Sequence, residues 1–453
     1  MRKLIIALIT FIFIINSSAY AFSFKKNNHN PLNVQEKTEY VNMCFWDKFQ
    51  DEYLNYYITE AIRNNPDARK ASWQVEEYRQ NVKYSFGQEL PSLSVSANYA
   101  GIHVPRFDNF ELDQNAFILP FIASYEPDFL LKNRDRTKSV KKAYEAEKYL
   151  EKSVYISLAS DVATAYVNVI LYDKLISYQN EIIKIKQAET ERVIKKFQHG
   201  IIDRREYNAI LKEYETAKNN LETYEKNRIT ALTQLAVLAG ISADCAKDLK
   251  RSDFDSFDYH GKIPAQILSD VIFSRPDVMA AEKNLEKAKI DIRVARKEFL
   301  PGFRITGIYA FNTIAPGNFF SWESTLAAVL AGATQDIFKG GQKLANLRIK
   351  KAKYEQLFED YRKTDLNAVK EINDALCIIK TDTEIDKNTI NYLNIQKNDF
   401  ILMQKKFSRG ISAYTDILNE QEKLFLAAQN QTQTKAARLV NYFTLYKAVG
   451  GQL

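Results

Sequence analysis

Side chains that could do chemistry are present in this chain, but their spacing does not bring them together. The four histidines, His29, His103, His199 and His260, stand singly, without the close spacing that sets two imidazoles on one metal ion. The three cysteines, Cys44, Cys245 and Cys377, are widely separated and odd in number, which argues against a disulfide framework or a metal knuckle. They read as small buried or incidental side chains, with a single disulfide left open. No His-Glu-x-x-His, Gly-x-x-x-x-Gly-Lys or Gly-x-Ser-x-Gly pattern occurs, and Gly340-Gly341 reads as a strand-to-helix turn rather than a phosphate cradle. Carboxylates are plentiful, but in charge-rich stretches they mark solvated helix faces. The sequence implies no catalytic residue, no cofactor and no metal site, so it reads as a protein other than an enzyme.

The elements that carry these residues repeat. Phe197-Gln198-His199-Gly200-Ile201 returns 210 residues later as Phe407-Ser408-Arg409-Gly410-Ile411. The same offset pairs Pro66-Asp67 with Pro276-Asp277, Leu90-Pro91 with Leu300-Pro301, and Gly240 with Gly450. One register held over nearly the whole length means a duplicated unit of about 200 residues.

Residues 1–21 read as a secretory signal peptide: Arg2 and Lys3, an apolar run from Leu4 to Ile15, then Ala19-Tyr20-Ala21 before the expected cleavage. A transmembrane anchor is the competing reading, though the run is short for a span. No Cys follows the cleavage position, so lipid attachment there is not supported. The formal net charge of +7 is spread along the chain, which assigns no nucleic-acid partner. Only 14 Gly and 10 Pro, with 26% charged residues, imply long helices with solvated faces.

Residues 22–50 read as an extended N-terminal segment. The first repeat, 51–240, opens with a helix broken at Asn64-Asn65-Pro66 and stopped at Leu90-Pro91. The period then changes from 3.6 to 2, giving strands at about 91–103 and 115–126, joined by a polar loop with Pro105, Asp108, Asn109 and Asp113. Helices follow at about 134–199 and 203–239. In the first, Leu158, Val162, Ala165, Val169, Tyr172 and Ile176 step in a heptad rhythm. Residues 241–263 read as a polar linker on the outside. The second repeat, 264–453, has strands at about 301–312 and 322–335 and helices at about 342–409 and 413–449.

Strands of about ten residues with one apolar face suit a tilted bilayer crossing. Tyr99, Tyr125, Tyr309, Phe311 and Trp322 fall near strand ends, where interfacial aromatics belong. Four strands cannot close a barrel, so lipid-facing strands must be completed by other copies. A dimer gives eight and a trimer twelve, and the residues do not choose between them. The fold class expected is mainly α with a membrane β-barrel part, in duplicated strand-strand-helix-helix halves.

Signal peptide, duplicated halves, paired strands and uninterrupted helices together resemble the TolC-type outer-membrane efflux family over about Trp46 to Gly451. Its marks here are Asn65-Pro66-Asp67, Arg275-Pro276-Asp277, the two Phe-x-x-Gly turns, and Ile411 to Asn430 with Asp416-Ile417-Leu418. The resemblance implies a homotrimer with a twelve-stranded outer-membrane barrel, continued through the periplasm by a coiled-coil tunnel. It also implies an inner-membrane pump and a periplasmic adaptor as partners, with outer-membrane lipid around the barrel, and the export of drugs, toxic compounds or metal ions. The turns Phe197, Gly200, Ile201 and Phe407, Gly410, Ile411 would form the tip that meets the adaptor. Asp416 matches the position of an acidic tip constriction, where three copies would filter cations. Asn419 replaces a second Asp, and Ser412 replaces a gating Arg. A type I protein-secretion channel and a periplasmic coiled-coil adaptor or rod are the competing functions.

Overall fold

The structure, a computed structural model, describes residues 30–107, 110–264, 266–313 and 319–453. The signal-peptide reading, His29, and Asp108 and Asn109 of the expected polar loop fall outside those residues.

The described part of the N-terminal segment, residues 30–50, is not extended. It forms α1 (Val34–Thr38), α2 (Met43–Trp46) and a 3₁₀ turn at Asp47–Phe49. Pieces this short leave no helical periodicity to read, and their order comes from tertiary burial. Phe45, Trp46 and Phe49 are buried. Phe45 stacks on Tyr446 with ring centroids 4.7 Å apart, and Trp46 meets Phe443 at 5.5 Å.

Next come α3 (Glu52–Asn64) and α4 (Pro66–Gly87), separated only by Asn65. Pro66 suits the first helical position, where no N–H is needed. The Asn65 side chain accepts from the N–H groups of Asp67 and Ala68, at 2.9 and 3.0 Å. Strands β1 (Ser92–Val95) and β2 (Asn98–Phe107) pair in succession with β3 (Phe110–Tyr125), so they act as one broken strand. The polar stretch assigned to a loop is therefore mostly paired strand. Its alternation is hidden by Pro105 and acidic residues, and the register shifts between Val104 and Phe107.

α5 (Lys132–Gln198) and α6 (Arg204–Leu238) complete the first half. The linker that follows is more than an outer strap. Phe254 and Phe257 are buried, and Phe257 stacks on Phe49 at 5.4 Å. Two aromatics in a polar stretch carry no periodicity, so their burial was not legible. The second half contains α7 (Ser269–Phe273), α8 (Pro276–Lys297), β4 (Gly302–Asn312), β5 (Thr325–Thr334), α9 (Gln342–Ser408) and α10 (Tyr414–Ala448). Trp322 lies in a 3₁₀ turn ahead of β5 rather than in the strand, and is 82% exposed.

β1 and β2, β3, β4 and β5 make an antiparallel sheet with four strand positions. α5 and α9, 67 residues each, run roughly 100 Å. Each is matched by two shorter helices set end to end. At the joint, Asn65 Nδ2 donates to the Leu238 carbonyl at 2.9 Å, and in the other half Arg275 Nη1 donates to the Ala448 carbonyl at 2.7 Å.

The two long helices differ in burial despite the shared register. α5 buries 26 residues, because α4, α6, α8 and α10 surround it. That enclosure explains why part of α5 is apolar enough to span a membrane although it is packed inside the protein. α9 buries only five residues, among them Ala368, Ile372, Ala375 and Ile379. It leaves Leu366, Ile378, Ile385, Tyr392, Ile395 and Leu402 exposed.

Candidate functional site at the helical tip

Both turns between long and returning helices are built alike. The Gly200 N–H donates to the Phe197 carbonyl at 3.0 Å, and the Ile201 N–H to the Lys196 carbonyl at 2.9 Å. At the second turn the equivalent bonds join Gly410 to Phe407 at 2.8 Å and Ile411 to Lys406 at 2.9 Å. These bonds satisfy the last carbonyls of α5 and α9 and require a left-handed residue, which Gly supplies at φ +69° and +71°. Ile201 and Ile411 project from the two apices, 68% and 69% exposed.

The helices that leave the turns are capped in opposite ways. Asp203, before α6, accepts from the Glu206 N–H at 2.8 Å. In the repeat Ala413 takes that place and has no side-chain acceptor. Asp416, in the position of Glu206, instead reaches back so that its Oδ2 accepts from the Ala413 N–H at 2.9 Å. Asp416 is thus positioned by helix capping and half-buried. Ser412 sits between the apex and the cap, its Oγ enclosed without a hydrogen-bond partner among the described residues. Asn419 lies one turn beyond Asp416 and is exposed.

Aromatic contacts stiffen each turn. Phe197 stacks on Tyr207 at 4.8 Å, and Phe407 meets Tyr414 at 5.8 Å. The Arg192 guanidinium lies 5.0 Å from the centre of the Tyr414 ring, which joins the two hairpins side by side. Further up, buried Lys186 ties three helices together. Its Nζ is 2.8 Å from Glu213, 2.6 Å from Glu422 and 3.2 Å from Glu189. Burial alone would lower the Lys186 pKa, but the hydrogen bonds to Glu213 and Glu422 and the surrounding negative charge outweigh it and raise it above the ordinary lysine range. Burial pushes the Glu189 carboxyl up, against the attraction of Lys186. No periodic signal marks a lysine on a core face, and this cluster was not legible in the sequence.

At the other end, the register sets Tyr99, Tyr125, Tyr309 and Phe311 on one sheet face, with Leu93, Val95, Phe121 and Val329. The opposite face carries Ser92, Ser94, Ser124, Arg304, Thr306 and Thr334 toward the helical end. From Phe303, in edge contact with Phe129, to Phe311, near Phe319 and Phe320, the strand covers roughly 26 Å. That is comparable to the apolar band, about 25 Å tall, of outer-membrane barrels. The cysteines are all exposed and free rather than buried, and no group of acidic, histidine or cysteine side chains among the described residues could hold a metal.

A sheet with an aromatic, apolar face, continued by paired helices roughly 100 Å long, defines an outer-membrane channel subunit that extends into the periplasm. The chain belongs to the outer membrane efflux protein family, which matches residues 57–241 and 267–451, two stretches in the same 210-residue register. The cation efflux system protein CusC of Escherichia coli K12 is 24% identical over 92% of this chain and 91% of its own length. The toluene efflux pump outer membrane protein TtgC of Pseudomonas putida is 24% identical over 89% of this chain and 84% of its own. Among solved structures, the Campylobacter jejuni CmeC outer membrane channel superposes with a TM-score of 0.83 at 22% identity, covering 91% of this chain and 88% of that one.

Proposed function

We propose that this outer-membrane efflux channel works as a homotrimer: a passive duct through which small molecules, delivered by an inner-membrane pump and a periplasmic adaptor, leave the cell. The observation that carries the assembly is the unequal burial of α5 and α9. A helix on which Ile378, Ile385 and Tyr392 recur every seven residues, all exposed, is an unfilled coiled-coil seam. The opposite edge of the subunit exposes Trp73 and Tyr84 on α4 and Ile229 and Val237 on α6. Two different edges that complete each other make a head-to-tail contact, the kind from which closed rings are built. Four strand positions per copy then give eight strands in a dimer and twelve in a trimer, and the family resemblance favours twelve. Small cargo is supported by the relatives, whose names specify cations and toluene.

The test is a sedimentation measurement in detergent together with planar-bilayer recordings. The wild type is expected to sediment as a trimer and to conduct. Ile378→Glu with Ile385→Glu is expected to give monomers without conductance. A trimer that survives both substitutions would remove α9 from the interface. Deletion of the gene in its host should raise sensitivity to small toxic compounds, and unchanged sensitivity to all of them would count against efflux of small cargo.

A further inference from the structure

The net charge looks evenly spread along the chain, but the fold concentrates it. Residues 192–207 hold five Lys or Arg against two carboxylates, and residues 405–416 hold three against one. The two segments lie 210 residues apart in sequence and side by side at the tip, joined by Arg192 and Tyr414. Eight cations less three carboxylates leaves +5 of the chain's total of +7 in this one place. Two of the three acids, Asp203 and Asp416, are engaged as helix caps. None of the eight cations has an ion-pair partner among the described residues.

From this we infer that the tip docks a partner protein whose own contacting turn is acidic, with an apolar residue or hollow at its centre that receives Ile201 or Ile411. This rests on the channel-and-adaptor reading above and names the chemistry of that partner. Uncompensated cations around an exposed apolar knob are the electrostatic complement of a negative surface with an apolar centre, and such pairing speeds encounter and rejects basic rivals. A protein fits better than an anionic membrane surface. The tip aromatics Phe197, Phe407 and Tyr414 are partly exposed but held in place, Phe197 stacked on Tyr207 and Phe407 tilted against Tyr414. The exposed apolar side chains belong to two tight turns, Phe197 with Ile201 and Phe407 with Ile411, and form no continuous apolar helix face of the kind that lies among lipid headgroups.

The experiment places a photoreactive phenylalanine derivative at position 411, and separately at 201, in the full chain in its native cells. The cross-linked peptide is identified by mass spectrometry. The expected adduct is a periplasmic protein segment with net negative charge within one helical turn of the cross-link. Lys195→Glu, Arg205→Glu, Lys405→Glu and Arg409→Glu together should lower its yield at least about tenfold. If that variant does not reach the outer membrane, the same four positions changed to Gln should lower the yield less, but measurably. An adduct to a neutral or basic segment, an adduct to lipid only, no adduct at either position, or a yield indifferent to charge would each overturn the inference. Conductance of the same preparation in planar bilayers is read separately: a conducting channel without the acidic contact rejects only this inference, whereas a non-conducting one rejects the channel reading itself.

Discussion

Arg275 donates to the carbonyl of Ala448 from the position that Asn65 occupies in the first half, where Asn65 donates to the carbonyl of Leu238. Two different side chains, 210 residues apart, thus close the same joint: the C-terminus of a returning helix against the N-terminus of a Pro-initiated one. The joint lets two short helices match one long partner, and it makes the backbone there crowded. A Cβ on Gly240 would lie 2.7 Å from the Asn64 carbonyl oxygen, and one on Gly450 would lie 2.9 Å from the Pro276 ring.

The glycines of this fold should therefore divide into two classes. At Gly200 and Gly410 an added Cβ meets nothing within 4 Å, so Ala costs only the left-handed strain, about 1–2 kcal/mol. At Gly240 the strain is similar, at φ +70°, and the contact with Asn64 backbone adds to it. Gly240→Ala is expected to lower the thermal midpoint in detergent clearly more than Gly200→Ala. Equal shifts would mean that the joint relaxes freely.

How much of this was legible follows the kind of signal involved. Long periodic helices gave their ends to within about two residues, because Pro66, Gly200, Gly240 and their repeats mark the stops chemically. The N-terminal helices and the burial of Phe254 and Phe257 were hidden, since single aromatics in short polar stretches acquire meaning only when distant elements pack on them. The basic tip was hidden for the same reason, as its two segments are far apart in sequence. The difference between α5 and α9 was hidden because both carry a heptad seam, and a seam does not say whether its partner belongs to the same chain.

The aromatic core beneath the N-terminal segment predicts that residues 30–50 cannot be dispensed with. Trp46 packs against Phe45, Phe49, Phe443 and Tyr446. Trp46→Ala removes a fully buried ring and should cost about 3–5 kcal/mol. Circular dichroism melts of detergent-solubilised protein measure the loss, and a midpoint unchanged within error would contradict the burial described above.

Two buried carboxyls should respond to pH in opposite senses. Burial raises Glu189 above its unfolded value, so its neutral form favours folding; that contribution is present at acid pH and lost as pH rises through the folded pKa. At Asp135 burial also pushes upward, but the hydrogen bond and charge of Lys297, with Arg293, leave the carboxyl below its usual range. Its contribution is present above the unfolded pKa near 3.8 and is lost as pH falls through the folded one. Asp135→Asn is expected to destabilise at pH 7 and to flatten the acid limb of stability. Glu189→Gln is expected to flatten the change just above the ordinary glutamate value of 4.5, with little loss at pH 7, because Lys186 keeps Glu213 and Glu422. Identical pH profiles for the two variants would refute the assignment of signs.

Asp416 combines a structural task with a proposed electrical one, and two substitutions separate them. Its carboxylate accepts from the Ala413 N–H, a task that the amide oxygen of Asn also performs. Asp416→Asn should therefore keep the unfolding free energy within about 0.5 kcal/mol, whereas Asp416→Ala removes the cap at a cost of about 1 kcal/mol. Both lose the charge that three copies would place around the channel entrance. If that ring filters cations, Asn and Ala should weaken block by divalent cations equally in planar bilayers, even though only Ala lowers stability. If Asp416 only caps α10, Asn should behave as wild type in both measurements. Ser412 and Asn419 cannot supply the missing charge, since neither ionises, so a block that persists in Asp416→Asn would have to come from elsewhere along the tunnel. Without Asp416 the tip carries eight cations against two carboxylates, a net of +6, so the residual selectivity of either variant is expected to shift toward anions.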